Sequence, residues 1–335
     1  MNTLFDKNLF DLAEEALNIK KQWFSNDVFF IRNIHVNYTD ICVSHCKFCA
    51  FAKNEDDEDA YIMNIGSMLD YIKTYGKEAR EIHIVGGLHP SKPFDFYLDM
   101  ISSLKYEFPD KTIKAFSAVE IDYFGKLASL STEKVLLKLK EAGLEMLPGG
   151  GAEIFAPRVR SKICPEKISG ERWLEIMEIA HKNGIRSNAT MLFGHLETYS
   201  DRINHLKAIK KLQDETGGFE AFIPLEFQPE NTFLSDRFPP TGVDDLKTIA
   251  VSRIVLDNIP HIKAYWVMLG VKMAQVALFF GADDLDGTIV KENIAYAAGE
   301  KSGRSLTLDS LVNLIKDAGF APVERDAFYN EIKRY

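Results

Sequence analysis

A chain of 335 residues, 46% of them hydrophobic, can bury a large core, as one large barrel or as two smaller domains. Its formal net charge of -9 argues against nucleic acid as the main partner, because phosphate binding needs a basic surface, and leaves any anionic substrate to be held by local cations. No apolar run is long enough to span a bilayer and the N-terminus does not read as a signal, so a cytoplasmic protein with no membrane partner is expected.

In chain order, Leu4, Phe5, Leu9, Phe10, Leu12, Ala13, Ala16 and Leu17 recur near helical spacing, which predicts an amphipathic helix over residues 2–24. The segment 1–27 is expected to pack on the main domain, as a lid or plug at one end. Val28–Tyr38 is rich in β-branched and aromatic residues and predicts a strand that delivers Cys42-Val-Ser-His-Cys46-Lys-Phe-Cys49 at its C-terminal end. Three thiols with three and two residues between them can meet on one loop. Thiolates select zinc, copper(I) or iron–sulfur clusters. A [4Fe–4S] cluster takes one external ligand at each iron, so three cysteines leave one iron open. A structural zinc ion needs four protein ligands. The fourth would have to be His45, inside the tight loop, or Cys164, far away in sequence. Disulfides fit poorly: there are only four cysteines, and three lie within eight positions.

Beyond the loop, the acidic run 55–59 reads as solvated. Strands are then expected at 81–87, 112–119, 187–194, 220–227, 261–268 and 286–290, with a short one running into Leu147. Helices are expected around 63–75, 94–108, 132–142, 170–182, 199–215, 243–258, 271–280 and 306–318. Eight strand–helix units in this order predict an α/β fold, a (βα)8 TIM-type barrel over 28–290, with an N-terminal helix and a C-terminal extension over 291–335 in the same domain. A six-strand open barrel is the alternative. Barrel chemistry sits at the C-terminal strand ends.

Those ends carry several candidate groups. Gly86 and Gly87 suit close backbone approach to a ligand, or a tight turn. His89 is a candidate acid or base, or a turn residue. Glu120 is a candidate catalytic carboxylate, or caps the next helix. Gly149-Gly-Gly151 suits an anion cradle or a flexible turn. Arg158 and Arg160 are carboxylate clamps or surface residues. Asn188 and Thr190 share one face of their strand and are ligand candidates if that face is internal. His195 binds a carboxylate, moves a proton, or is a satisfied core histidine. Glu226, Gln228 and Lys263 are further substrate-binding candidates. Asp283, Asp284 and Asp286 lie beside glycine without the spacing of a calcium loop, and read as a barrel-mouth turn with some substrate role.

The Cys-x3-Cys-x2-Cys spacing with Phe48 before the last cysteine resembles the signature of the radical S-adenosylmethionine (SAM) enzymes. The resemblance implies a [4Fe–4S] cluster on Cys42, Cys46 and Cys49, with SAM chelating the open iron. It also implies Gly86 and Gly87 against the SAM amino group, although Leu88 stands where an acidic residue is usual, and Ser117 and Glu120 against its ribose or methionine part. The segments HIVGGLHP, AFSAVEID, LPGGGAEIF, SNATMLFGH, HIKAYWVMLG and GADDLDGT resemble the aminofutalosine synthases of menaquinone biosynthesis. That implies addition of a 5′-deoxyadenosyl radical to the double bond of 3-[(1-carboxyvinyl)oxy]benzoate, then aryl migration and decarboxylation to 6-amino-6-deoxyfutalosine, with methionine released. A low-potential donor such as flavodoxin or ferredoxin would supply the electron. The related dehypoxanthine futalosine cyclases, which abstract hydrogen, are the alternative, and a zinc-binding protein a remote one. Two substrate carboxylates then need cations or donors, with Arg158, Arg160, His89, His195 and Lys263 as candidates; His195 or an arginine of the fourth connection is expected to grip one of them.

Overall fold

The computed structural model describes residues 4–289, 293–299 and 305–335. The strands are β1 (Asp27–Ile31), β2 (Asn33–Val36), β3 (Glu81–Ile84), β4 (Thr112–Ala115), β5 (Met146–Leu147), β6 (Arg186–Phe193), β7 (Phe219–Glu226), β8 (His261–Ile262), β9 (Asp284–Gly287), β10 (Ala321–Arg325) and β11 (Glu331–Arg334). β2 to β8 form one seven-stranded parallel sheet in sequence order. Parallel neighbours need crossovers, and each contains one or two helices.

β9 carries the curl round to its start. It meets the end of β8 through a parallel bridge between Lys263 and Asp284, and pairs in parallel with β1, which runs into β2 after Arg32. Thr288 N–H donates to Ile31 O at 3.1 Å beside that join. Counting β1 and β2 as one interrupted strand, eight parallel strands surround one interior, as the order of elements in the sequence leads one to expect.

The helices form for local reasons. In the helix Thr132–Ala142, Val135, Leu136 and Leu139 make one fully buried stripe, Ser131 caps the first turn by accepting from Lys134 N–H, and Gly143 ends it at φ 117°. Each such buried aliphatic side chain contributes about 2 kcal/mol. The N-terminal helix runs Leu9–Phe24 and packs against the outer helix Gly242–Val255, with buried Lys20 donating to Leu278 O at 3.0 Å.

Four local readings change. The helix Ala118–Ala128 starts where the sequence suggests that a strand continues, because Ser117 and Glu120 form a reciprocal capping box. Pro157 opens an unanticipated short helix, Pro157–Ile163. β8 is only two residues long, and Trp266–Leu269 is helical. The C-terminal extension adds β10 in parallel to the other edge of β1, with β11 antiparallel beyond it. Its Ala327 and Phe328 pack with Ile31 and Met146, so this extension supplies apolar filling at the N-terminal strand ends, where Phe24 of the N-terminal helix also stacks on His261 at 4.5 Å. The expected boundary at 290–291, with the end of the expected last strand, lies outside the described residues.

Candidate active site

A cavity of about 330 Å³ is lined by the C-terminal ends of the barrel strands and the loops that follow them. Cys42, Cys46, Phe48 and Cys49 line it together with Gly86, Gly87, Ser117 and Glu120. The cysteine loop is tied down by its backbone. Cys42 N–H donates to Lys53 O, Val43 N–H to Leu88 O and Lys47 N–H to Ile163 O. A methyl group at Gly87 would sit 2.1 Å from Ile41 O, and one at Gly86 would sit 2.7 Å from the Tyr38 ring. The glycine pair is therefore needed for packing against the cysteine loop, whatever a ligand asks of it.

Burial pushes the Cys46 thiol up to about 12 and raises Cys49 as well. Such thiols lose their protons when metal supplies the opposing charge. Three soft sulfurs beside one cavity fit an iron–sulfur cluster, in which each thiolate binds its own iron. Among the described residues, no three His, Cys, Asp or Glu side chains converge on a single ion. Cys164 is buried and lies outside the cavity lining. Lys167 lines the cavity, pairs with Glu153 at 2.7 Å and stands 5.2 Å above the Phe48 ring.

Glu120 caps the next helix, as expected for one of its roles, and also faces the cavity. It accepts from Ser117 N–H at 2.6 Å and from Tyr38 Oη–H at 3.0 Å, and it lines the cavity. Burial pushes its carboxyl up to about 7, against hydrogen bonds from Ser117, Tyr38 and the Gly86 N–H that favour the carboxylate. A raised carboxyl contributes stability that is full below its ordinary 4.5 and is lost as pH rises through about 7. Glu120→Gln keeps a capping residue and cannot ionise. Relative to the native protein it is expected to gain about 3 kcal/mol between pH ~5 and pH ~8, at ~1.4 kcal/mol per pH unit. Urea unfolding of both proteins at the two pH values checks this; parallel losses would contradict it.

Asn188 and Thr190 face the cavity from β6. Thr190 Oγ1 donates to Gly149 O at 2.9 Å, and the buried Asn188 Oδ1 has no hydrogen-bond partner. An orphaned buried acceptor suits a donor group on a bound ligand. Gln228 and Lys263 also line the cavity; Gln228 Nε2 donates to Met268 O.

The other sequence candidates stand outside the lining. Arg158 is exposed and pairs with Asp201 at 2.7 Å. Arg160 is buried and donates to Ala152, Ile154 and Ile168 carbonyls, tying its own connection together. His195 is a satisfied core histidine, with Nε2 at 3.0 Å from Leu192 O and Nδ1 accepting from Leu196 N–H. His89 is a turn residue whose Nδ1 accepts from Ser91 N–H. Glu226 is half-buried near the end of β7, outside the lining. The expected grip by His195 or a fourth-connection arginine thus gives way, because those side chains are committed to the protein itself.

Beneath the cysteines lies a polar floor, of which sequence reasoning named Lys263 and Asp286 and missed His35, His83, Lys114 and Glu81. His35, His83 and Lys114 occupy one register row on β2, β3 and β4. The two imidazoles stack at 4.4 Å. Lys114 Nζ lies 2.7 Å from Glu81, and Lys263 Nζ donates to Asp286 at 2.7 Å. Burial raises the Asp286 carboxyl, but Lys263 and Lys114 pull it well below the usual range. The aspartate cluster is accordingly a strand in the barrel interior and not a mouth turn: Asp283 pairs with Arg253 and His261, Asp284 with Arg325, and Asp286 with Lys263. The signal was present as polar residues at alternate positions of apolar strands, Asn33 and His35, Glu81 and His83, and Lys114.

Comparison with known proteins agrees with this geometry. The model of the radical SAM superfamily matches residues 36–209, and that of the CofH/MqnC C-terminal region matches 216–334. An aminodeoxyfutalosine synthase of Thermus thermophilus is 45% identical over 98% of this chain and 89% of its own. A 5-amino-6-(D-ribitylamino)uracil--L-tyrosine 4-hydroxyphenyl transferase of Methanococcoides burtonii is 39% identical over 99% of this chain and 94% of its own. The crystal structure of methylornithine synthase (PylB) superposes with a TM-score of 0.77 at 18% identity, covering 95% of this chain and 91% of that one, a likeness of fold. With the three cysteines, the glycine pair and the barrel in these positions, the chain belongs to the radical SAM superfamily, whose members use a [4Fe–4S] cluster and SAM, and to the branch carrying the CofH/MqnC C-terminal region.

Proposed function

We propose that this radical SAM transferase is an aminodeoxyfutalosine synthase, joining the adenosyl group of SAM to 3-[(1-carboxyvinyl)oxy]benzoate to form 6-amino-6-deoxyfutalosine in menaquinone biosynthesis. The observation that carries the reading is that the cysteines and a set of apolar walls share one cavity. A cosubstrate at the cluster and a second organic molecule would therefore meet in the same cavity. The similarity to a synthase over nearly the whole chain supports it.

When bound, the cluster supplies the electron that cleaves SAM; a flavodoxin- or ferredoxin-type protein is the proposed source. The rest falls to this chain. Cys42, Cys46 and Cys49 hold the cluster. The Gly86–Gly87 backbone, Ser117, Glu120 and Asn188 orient SAM. Leu192, Ile223, Leu225 and Phe227 line the cavity without hydrogen-bonding side chains and limit water beside the reacting carbons. Holding the alkene near contact distance is a matter of position more than of acid–base chemistry.

The test is anaerobic. Protein with reconstituted cluster, SAM, a reductant and the carboxyvinyloxybenzoate is expected to yield a product containing the adenosyl carbons, together with methionine, by mass spectrometry. Free 5′-deoxyadenosine with a dehydrogenated nucleoside would instead indicate a cyclase. The similarity to the hydroxyphenyl transferase motivates a parallel assay with tyrosine and the ribitylaminouracil; turnover there alone would overturn the synthase reading.

A further inference from the structure

Four nitrogen groups converge on the cavity floor: His35, His83, Lys114 and Lys263 all line it. Both ammonium groups are almost fully buried, at 2% and 1% exposure. Each has three N–H donors. Among the described residues, each has a single carboxylate partner within salt-bridge distance, Glu81 or Asp286. The buried His35 Nε2 has no hydrogen-bond partner, and the Glu81 carboxylate has none beyond its ion pair with Lys114. Ammonium donors left unfilled cost free energy, and His35 Nε2 joins them in the tautomer that carries its proton there, so the floor can receive an acceptor.

We propose that this floor is a carboxylate subsite, which takes the ring carboxylate of the aryl substrate and thereby selects and positions it; the identity of that substrate rests on the function proposed above. The charges favour a monoanion. Two ammonium groups face two carboxylates, and burial first, then the neighbouring His83, hold His35 neutral, with its pKa lowered to about 3. Asp286 and Glu81 oppose that shift and Lys114 adds to it. The floor is thus close to neutral before binding, with donors to spare. One added negative charge meets two ammonium groups, whereas a dianionic phosphate would double the uncompensated charge. Above the floor, Leu192, Ile223, Leu225 and Phe227 suit an aromatic ring, and the cysteines lie beyond. A ring anchored at the floor by its carboxylate would direct its other substituent towards the cluster end of the cavity.

The test compares 3-hydroxybenzoate with 3-hydroxybenzamide as probes, titrated into the holoenzyme with SAM. The acid is expected to bind at least tenfold more tightly than the amide. His35→Phe, and the paired change Lys114→Met with Glu81→Met, which removes both ions so that no buried charge is stranded, are expected to abolish that preference. Iron and sulfide per chain, measured on both variants, check that the cluster is loaded before the probes are compared. Equal binding of acid and amide by the native enzyme would overturn the subsite, as would failure of both probes to bind, or an undiminished preference in both variants. The native comparison decides the matter if a variant does not fold. Turnover of the carboxyvinyloxybenzoate without an acid preference would sink the subsite alone; an acid preference without turnover would sink the proposed reaction alone.

Discussion

Cys46→Ser is expected to leave a folded protein that holds no intact cluster and cleaves SAM more than about a hundredfold more slowly, since even the outer partners of metal ligands are worth about 10–100-fold. Cys46 is the most buried of the three cysteines, at 4% exposure. Its carbonyl accepts from Cys49 N–H at 3.0 Å, and the next residue, Lys47, donates to Ile163 O at 2.8 Å, so the loop stays anchored when sulfur is exchanged for oxygen. A serine hydroxyl is harder and far less acidic than a thiol, and is a poor ligand for iron in a cluster. Iron and sulfide per chain, visible absorbance and anaerobic 5′-deoxyadenosine formation measure the loss, with far-ultraviolet circular dichroism as the control for folding. Cys164→Ser is the matched comparison and should keep iron, sulfide and SAM cleavage. If it lost metal as fully as Cys46→Ser, a four-ligand site would replace the three-thiol cluster.

Gly87→Ala should damage both stability and SAM binding. The added methyl would stand 2.1 Å from Ile41 O and 3.0 Å from Cys42 Cβ, so backbone must move. Overpacking of this kind costs about 1–3 kcal/mol, and a backbone atom as the obstacle puts this site at the upper end. The displaced strand end and cysteine loop both line the cavity proposed to take SAM, so affinity for SAM should fall with stability. Gly217→Ala isolates the other glycine effect: nothing lies within 4 Å of its added methyl, and only the left-handed φ of 63° is penalised, by about 1–2 kcal/mol. Thermal unfolding and SAM titration of both variants make the comparison. A Gly87→Ala protein as stable as Gly217→Ala, with native affinity for SAM, would contradict the close approach.

The order of strands and helices was legible because hydrophobic period and turn residues are local. The reading erred where local signals compete. Ala115–Val119 looks like continuing strand, yet the Ser117–Glu120 capping box starts a helix there. The β10–β11 hairpin went unread because β10 finds its partner in β1, almost 300 residues earlier in the chain.

For the site, the contrast is sharper. Arg158, Arg160, His89 and His195 stand out in a sequence because they are charged or titratable and lie at strand ends. Their partners, Asp201, the Ala152 and Ile168 carbonyls, Ser91 N–H and Leu192 O, were not visible. Lys114 and His35 drew no attention because they sit inside their strands and not in the connections that follow them.

The sequence by itself determined the cysteine spacing, the glycine pair and the alternation that makes a parallel barrel, since each is written in neighbouring residues. Only the tertiary structure decided which polar groups face the cavity. A side chain's role depends on what fills its hydrogen-bonding capacity, and those partners come from strands and connections far apart in the chain.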